Sequence, residues 1–569
     1  MRMIKKIEHR IVTIKLIVGL LLLLGCASRH SFVPPPPMPD DTRSIPEPEF
    51  QEMNYLTDGW HNLATNQVNQ AFDLNRQLRF LFGHPKQAMN LNAFDEVENS
   101  TWFTNRNAMY KLSNEEASRG PDTGAGPDTT DFWTITKAKM EGVTPGFHIK
   151  DRRGDRYVIK FDPPGFQEMA TGAEVISTKL FYAMGYNVPE NYITYFRPEN
   201  LRLGKDVEFV DEKGRERLMN EADIATILEK VNHYPDGRYR ALASRYVIGK
   251  PLGGFKFKGT WKNDPNDIIP HEYRRELRGL EVSSAWLKHF DLRAGNNFNT
   301  LVSENGRQYV KHYLLDFGST LGSAANDAQP RYKGHENDLD PKSILYNMLT
   351  LGFHIKDWEK LNPVKFPSVG RLDTQDFNPG RTKPNYPNPA FENCTNLDGF
   401  WGAKLIMSLT DEQIDAIVRD GQYSDPRATE YIARALKIRR DISGRYWYQR
   451  VCNLDNFRLE INSEAQPVLT FIDRGIEDSL WMAEKSAYAW QVYAGKTEVT
   501  PQMPLPPNTP ILLAPLAEKS APLIKNSENR FYIKLKHKRH DDKKWSKWVK
   551  VFLEYKNEKF TLLGIQRQN

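Results

Sequence analysis

His289-Phe290-Asp291-Leu292-Arg293-Ala294-Gly295-Asn296, followed after a short interval by Asp316-Phe317-Gly318, is the stretch on which the fold turns. The first run puts a carboxylate and an amide on one loop at the end of a helical pattern. The second puts another carboxylate at the end of a strand-like run, Tyr309 to Leu315. A carboxylate can orient or deprotonate a hydroxyl, and an amide oxygen with a second carboxylate suits a hard cation such as Mg²⁺. Taken singly, each run reads as an ordinary Asp/Gly/Asn turn. From average residue usage, the two at this separation co-occur by chance in roughly one chain of this length in ten thousand, so they are read together.

Their order and spacing resemble the catalytic loop and metal-binding Asp-Phe-Gly of protein kinases. The resemblance implies that Asp291 orients an acceptor hydroxyl and that Arg293 sits where many kinases place a lysine contacting the γ-phosphate. It also implies that Asn296 (Asn297 is the register alternative) and Asp316 hold the metal, and that the cofactor is ATP with Mg²⁺ or Mn²⁺. A kinase needs a strand lysine for the α- and β-phosphates and a helix glutamate to hold it. Lys160, ending Tyr157-Val158-Ile159-Lys160-Phe161, is the lysine. Glu174 is the glutamate, although Thr171-Gly172-Ala173-Glu174 reads equally well as a capping box, with Glu168 then the alternate partner. Gly142 and Gly146 in Glu141-Gly142-Val143-Thr144-Pro145-Gly146 stand where a phosphate-covering loop belongs, without matching its usual glycine pattern. His289 is read as structural, packing and hydrogen-bonding the loop.

That divergence resembles the atypical branch: HipA-type kinases, phosphoinositide lipid kinases and secretory-pathway kinases. Residues 90 to 460 are also similar to bacterial envelope lipoproteins that share runs such as Trp102-Phe103-Thr104-Asn105-Arg106 and Asp316-Phe317-Gly318-Ser319-Thr320-Leu321-Gly322. This second resemblance implies no activity.

Strand patterns over Trp133–Lys139, Phe147–Lys150, Tyr157–Phe161, Tyr192–Phe196 and Ala241–Val247, with a helix from Thr171 to Met184, predict a mostly β lobe at 131–250. A long helix from Pro270 to Phe290 delivers the chain to Asp291. Helices at Asp411–Arg419 and from Pro426 to Ile442 predict a helical lobe at 251–465. The fold class is therefore α+β, a two-lobed kinase-like fold. An N-terminal extension at 51–130 carries a helix over Val68, Ala71, Phe72, Leu78, Leu81 and Phe82 that should pack on the main body. A module of short strands at 466–569 follows, set off by the proline-rich segment Pro501–Pro515.

Arg2, Lys5, Lys6, Arg10 and Lys15 precede an apolar run from Leu16 to Leu24 that is too short to span a bilayer. Leu23-Leu24-Gly25-Cys26 resembles a lipobox. This predicts a signal peptide at 1–25, lipidation of Cys26, and an outer-membrane lipoprotein of the bacterial envelope, with Pro34–Pro37, Pro39, Pro46 and Pro48 making 26–50 a stiff tether. Losing residues 1–25 lowers the formal charge from +6 by four, to +2, which argues against a nucleic-acid partner. Cys394 and Cys452 then remain, either paired or as two buried thiols.

Asn263-Asp264-Pro265-Asn266-Asp267 reads as a turn and helix cap rather than a metal site. Arg530 to Lys550 carries nine Lys or Arg with Trp545 and Trp548 among them. It is either the solvated face of a small sheet or a surface for an anionic envelope polymer. Two functions compete: a metal-dependent phosphotransferase or nucleotidyl-transferase acting on an unknown hydroxyl acceptor, and an inactive kinase-shaped binding or scaffold lipoprotein. Four residues of the right chemistry favour the first. The low ATP content of the envelope outside the inner membrane favours the second.

Overall fold

The computed structural model describes residues 32–51, 73–139, 146–210, 215–507, 509–516 and 529–569. The apolar N-terminal run, Cys26, Val68, Ala71, Phe72 and Gly142 lie outside the described residues. The chain is mixed α+β, with a sheet-rich part, a helical part and a second sheet-rich part in chain order.

The proline-rich start lies on the body. Phe32 stacks on Phe552 with ring centres 4.3 Å apart, and Pro34–Pro37 are exposed. Asp40 pairs with Arg307 at 2.8 Å, and Asp41 accepts from the Thr101 backbone and hydroxyl. Ile45 is buried with Leu252, Trp261, Leu301 and Val310. The non-proline residues of this segment keep N–H groups for other partners: Ile45 donates to the Gln308 carbonyl (2.9 Å) and Gln51 to that of Leu252 (3.0 Å). The expected tether is thus, over residues 40–51, a docked strap. The helix α1 (Leu74–Leu81) is capped by Asp73 but buries none of its residues, so its described part does not pack as expected. Trp102 does pack, stacking on His312 at 3.5 Å.

Strands β1 (Trp133–Ala138), β2 (Gly146–Lys150), β3 (Arg156–Lys160), β4 (Asn191–Phe196), β5 (Leu201–Leu203) and β8 (Tyr239–Arg245) form one sheet in the order β4-β8-β3-β2-β1-β5. Between them, β6 (Glu208–Val210) and β7 (Glu216–Leu218) make a separate hairpin. Trp133, Ile135, Phe147, Ile149, Tyr157 and Ile159 alternate along β1 to β3 and all fall on the buried face. Helix α2 (Met169–Met184) is buried at every residue but Tyr182, its polar members such as Glu174, Ser177 and Lys179 being paired inside. Gly185 closes it at φ +117°, where a side chain would also strike Phe103. Arg106 then donates to the carbonyls of Tyr182 and Tyr186, both at 2.9 Å, so the Trp102–Arg106 run clamps the end of α2.

The expected long helix from Pro270 is broken. Pro270 (ψ 133°) and Arg274 (ψ 128°) are not helical, and α3 runs from Arg275 to Leu287. The Arg274 guanidinium is drawn to Asp267 at 3.1 Å, which also takes His271 at 2.8 Å, so Asp267 organises a turn as expected. Lys288 at φ 53° ends α3, and the His289 N–H reaches back to the Ser284 carbonyl. Strands β9 (Lys250–Gly253), β10 (Asn297–Glu304) and β11 (Arg307–Leu314) form a sheet in the order β11-β10-β9. Helix α4 (Pro341–Leu349) buries none of its residues. Helices α5 (Asn396–Met407), α6 (Asp411–Arg419) and α7 (Pro426–Tyr448) complete the helical part, α7 running past the expected Ile442. Asp398 of α5 holds Arg275 (3.0 Å) and Arg278 (3.1 Å) of α3, all three fully buried.

In the last part, β12 (Leu454–Ile461) and β13 (Pro467–Asp473) pair as a hairpin that the expected boundary at 466 would cut. Strands β14 (Ser486–Ala494), β15 (Thr497–Glu498), β16 (Met503–Leu505) and β17 (Ile511–Leu512) follow. Because β16 pairs with β14 and β17 with β13, the proline-rich segment belongs to the sheets and is no linker. Strands β18 (Arg530–Arg539), β19 (Val549–Lys556) and β20 (Lys559–Arg567) are longer than expected. Buried pairs fasten this part to the rest: Asp455 takes Arg567 and, at 2.7 Å, Lys404 of α5. Cys394 and Cys452 are unpaired thiols.

Candidate functional site

Lys160 ends β3, Glu174 lies in the second turn of α2, and Asp316 follows β11. The Lys160 ammonium lies 3.0 Å from Glu174 Oε1, 3.2 Å from its Oε2 and 2.9 Å from Asp316 Oδ1. The helix begins at Met169, so Thr171 is inside it and does not cap. Its hydroxyl donates instead to the buried Asp162 at 2.8 Å. Glu168 turns away from Lys160 and accepts from the Ser424 backbone at 2.9 Å. Of the partners considered for Lys160, Glu174 is the one the fold brings to it.

Burial alone would lower the Lys160 pKa, but Asp316 and Glu174 outweigh it and hold the ammonium above its ordinary range. Burial pushes Glu174 up, against the pull of Lys160. The Lys160 charge pulls Asp316 down against burial, and Lys139 adds to it. Asp316 is the open end of this cluster: its side chain is 49% exposed, against 3% for Glu174.

Asp316 has φ 61° and ψ 62°, a left-handed conformation that Asp tolerates better than bulkier residues. From there the Phe317 ring stacks on Phe181 of α2 at 4.9 Å. A Cβ on Gly318 would sit 3.0 Å from Glu174 Oε2. Ser177 and Thr320 hydroxyls meet at 2.6 Å. The run from Asp316 onward is therefore bolted to the helix that carries Glu174.

The loop Asp291–Asn296 reaches the same place through the β10–β11 hairpin, in which Asn297 pairs with Leu314 and the Leu315 N–H bonds the Asn296 carbonyl at 3.1 Å. Asn296 Nδ2 donates to the Asp291 carbonyl (2.6 Å) and to its Oδ2 (2.9 Å). Asn297 instead accepts from the Phe255 N–H at 2.7 Å, which anchors the loop's end. Arg293 Nε approaches Asp291 Oδ1 at 3.5 Å. Burial raises the Asp291 pKa, with Arg293 and Asn296 opposing. His289 packs between Phe181 and Phe317, and among the described residues neither ring nitrogen has a hydrogen-bond partner. Packing is as expected for His289; hydrogen bonding is not. Burial drops its pKa to about 4. Gly146 pairs with Lys160 across β2 and β3 and belongs to the ladder rather than a loop.

Two lysines that no motif singled out also bear on the site. Lys139, just past β1, acts on Asp316, and Lys333 acts on Asp291. A cavity of about 320 Å³, lined in part by Lys288, Phe290, Lys333, His335, Asp373 and Arg439, opens beside the segment leading into Asp291. Nothing in their local sequence distinguishes these residues from surface charges. Among the described residues no three His, Cys, Asp or Glu cluster as a metal site. Asn296 and Asp316 offer oxygen donors, which fit Mg²⁺ or Mn²⁺ only when phosphate oxygens complete the shell.

No family model matches the chain, and no curated protein matches it. Among solved structures it is similar to the Helicobacter pylori proinflammatory kinase CtkA, at 13% identity and a TM-score of 0.29, over 56% of this chain and 96% of that one. It is similar to the Golgi casein kinase at 13% identity and a TM-score of 0.27, over 73% and 96%. To the same kinase with Mn/ADP bound it is similar at 13% identity and a TM-score of 0.28, over 72% and 95%. Superpositions this loose transfer no residue role.

Proposed function

We propose that the chain is a two-lobed, kinase-like phosphotransferase that moves a phosphoryl or nucleotidyl group from a nucleoside triphosphate to a hydroxyl acceptor, held on a membrane through Cys26. The observation that carries this reading is the convergence of Lys160, Glu174 and Asp316, from three elements of which the last lies far along the chain, beside the Asp291–Asn296 loop. In this reading Lys160 neutralises the α- and β-phosphates while Glu174 fixes its position. Asn296 and Asp316 hold Mg²⁺ or Mn²⁺, which supplies charge neutralisation of the phosphates. Asp291, with a raised pKa, orients the acceptor hydroxyl and takes up its proton. Arg293, freed from Asp291 when phosphate enters, steadies the transferred group.

The second reading, an inactive kinase-shaped binding or scaffold lipoprotein, draws on the mutual satisfaction of the same charges: Lys160 is already bracketed by two carboxylates. Binding of ATP to the chain from Ala27 onward, with and without Mg²⁺ or Mn²⁺, separates the two. Phosphotransfer predicts metal-dependent binding that Asp316→Ala weakens at least tenfold. It also predicts that Asp291→Ala leaves binding intact and lowers turnover by about 10²-fold. No metal-dependent nucleotide binding by the wild type would hand the protein to the scaffold reading.

A further inference from the structure

The outward face of the C-terminal sheet is unlike an ordinary solvated one. Along β18, Phe531, Ile533 and Leu535 point into the core, so Tyr532, Lys534, Lys536 and Lys538 point out. On that outer face Tyr532 lies opposite Tyr493 and Phe552, and Lys534 lies opposite Lys550. The Tyr493 and Tyr532 rings stack at 5.3 Å. The Lys534 ammonium sits 4.3 Å from the Tyr493 ring centre, and Lys536 sits 4.3 Å from that of Trp548 and 4.9 Å from that of Trp545.

Like charges directly opposite on paired strands are destabilising, and a solvated face relieves them with acids. Here, among the described residues, no carboxylate pairs with Lys534, Lys536, Lys538 or Lys550. The nearby acids are engaged elsewhere, Glu554 with Arg530 at 3.5 Å and Glu498 with the Tyr493 hydroxyl at 3.4 Å. Partial burial draws Lys536 below its ordinary pKa, and burial together with Lys534 does the same to Lys550. A negative surface against this face would relieve both.

We propose that this face docks on anionic lipid headgroups and lays the protein on a membrane. An open sheet face fits an extended surface rather than an enclosed small molecule, and lysines interleaved with Trp and Tyr suit the headgroup layer. The N-terminal end of the described chain points the same way. Phe32 stacks on Phe552 of this face, and six residues before it stands Cys26, within about 20 Å of chain. The choice of lipid over other polyanions rests on the membrane attachment proposed above; nothing in it rests on phosphotransfer.

The test uses the chain from Ala27 onward, which keeps every described residue and carries no acyl group. It should sediment with phosphatidylcholine vesicles containing about one third phosphatidylglycerol and not with pure phosphatidylcholine, and added salt should release it. At roughly fivefold per lysine, Lys534→Gln, Lys536→Gln and Lys550→Gln together should weaken binding about 10²-fold. Their unfolding midpoint should not fall below the wild-type value, since all three side chains point outward and two of them are like charges on paired strands. No binding to the anionic vesicles, equal binding to neutral ones, or an unaffected triple variant would each overturn the proposal. Binding to dextran sulfate with none to vesicles would overturn it too, and would assign the face to an anionic polymer.

Discussion

Lys160 and Lys534 both sit on β-strands between apolar neighbours, yet the fold treats them oppositely. Lys160 is turned into a cluster with two carboxylates from other elements, one of them far along the chain. Lys534 is turned outward over an aromatic ring, beside another lysine and, among the described residues, without an acid. The first region is built of charges that satisfy one another inside, with a left-handed Asp316 and a buried His289 as its awkward members. The second is a regular ladder whose charges are left for something outside. A strand lysine therefore carries no functional meaning by itself; what decides is whether tertiary structure brings it a counter-charge.

The sharpest way to test the inward region is through His289. Its pKa is near 4 in the fold against about 6.5 when unfolded, so the unfolded chain takes up the proton first as pH falls. The stability that the neutral ring contributes is present above pH 6.5 and lost between 6.5 and 4, by about 3 kcal/mol at full effect. Urea unfolding of the wild type should thus weaken across that window more steeply than that of His289→Phe. The remaining slope in the variant would be the sum of His312, His335 and His537, whose pKa values burial also lowers, and the opposing contribution of Asp122, Asp264, Glu281 and Glu392, which burial raises to about 6 or 7. Equal slopes in both proteins would break the picture of a neutral His289.

Removing Lys160 is of similar size. Lys160→Met leaves Glu174 buried without its partner, while Asp316, half exposed, can turn to water; the expected loss is about 3 kcal/mol, the low end for a broken buried pair. Glu174→Gln, which leaves Lys160 its other carboxylate, should cost less. A larger loss from Glu174→Gln would reverse the assignment of Lys160 as the centre of the cluster. The smallest effect belongs to the outward region. Lys536→Gln should change stability by less than about 0.5 kcal/mol, and a clear destabilisation would mean that its contact with Trp548 holds the sheet together.

Much of the first sheet was legible because period-two alternation of large apolar residues, as in Trp133, Ile135, Phe147 and Ile149, survives in a half-buried strand. The cluster was legible only through motif order, since Asp316 and Lys160 have no local mark of their partnership. What stayed hidden is what docking decides. Ile45 sits among prolines that look like a tether, and only its partners Leu252 and Val310 make it core. Leu78 and Leu81 follow a helical period yet face outward. Lys139 and Lys333 act on the two aspartates through space, which no spacing rule encodes.

The strap has a consequence for how the chain is made. It is made well before the groups it binds, Leu252 and Gln308, which lie far later in the chain. Throughout that wait it must neither collapse into helix nor pair with the wrong strand. Pro46 and Pro48 within it, and Pro39 just before it, oppose both, because they lack the N–H that either would need and hold the backbone extended. The prolines act in time as much as in space: they keep the strap idle until β9 and β11 exist to receive it.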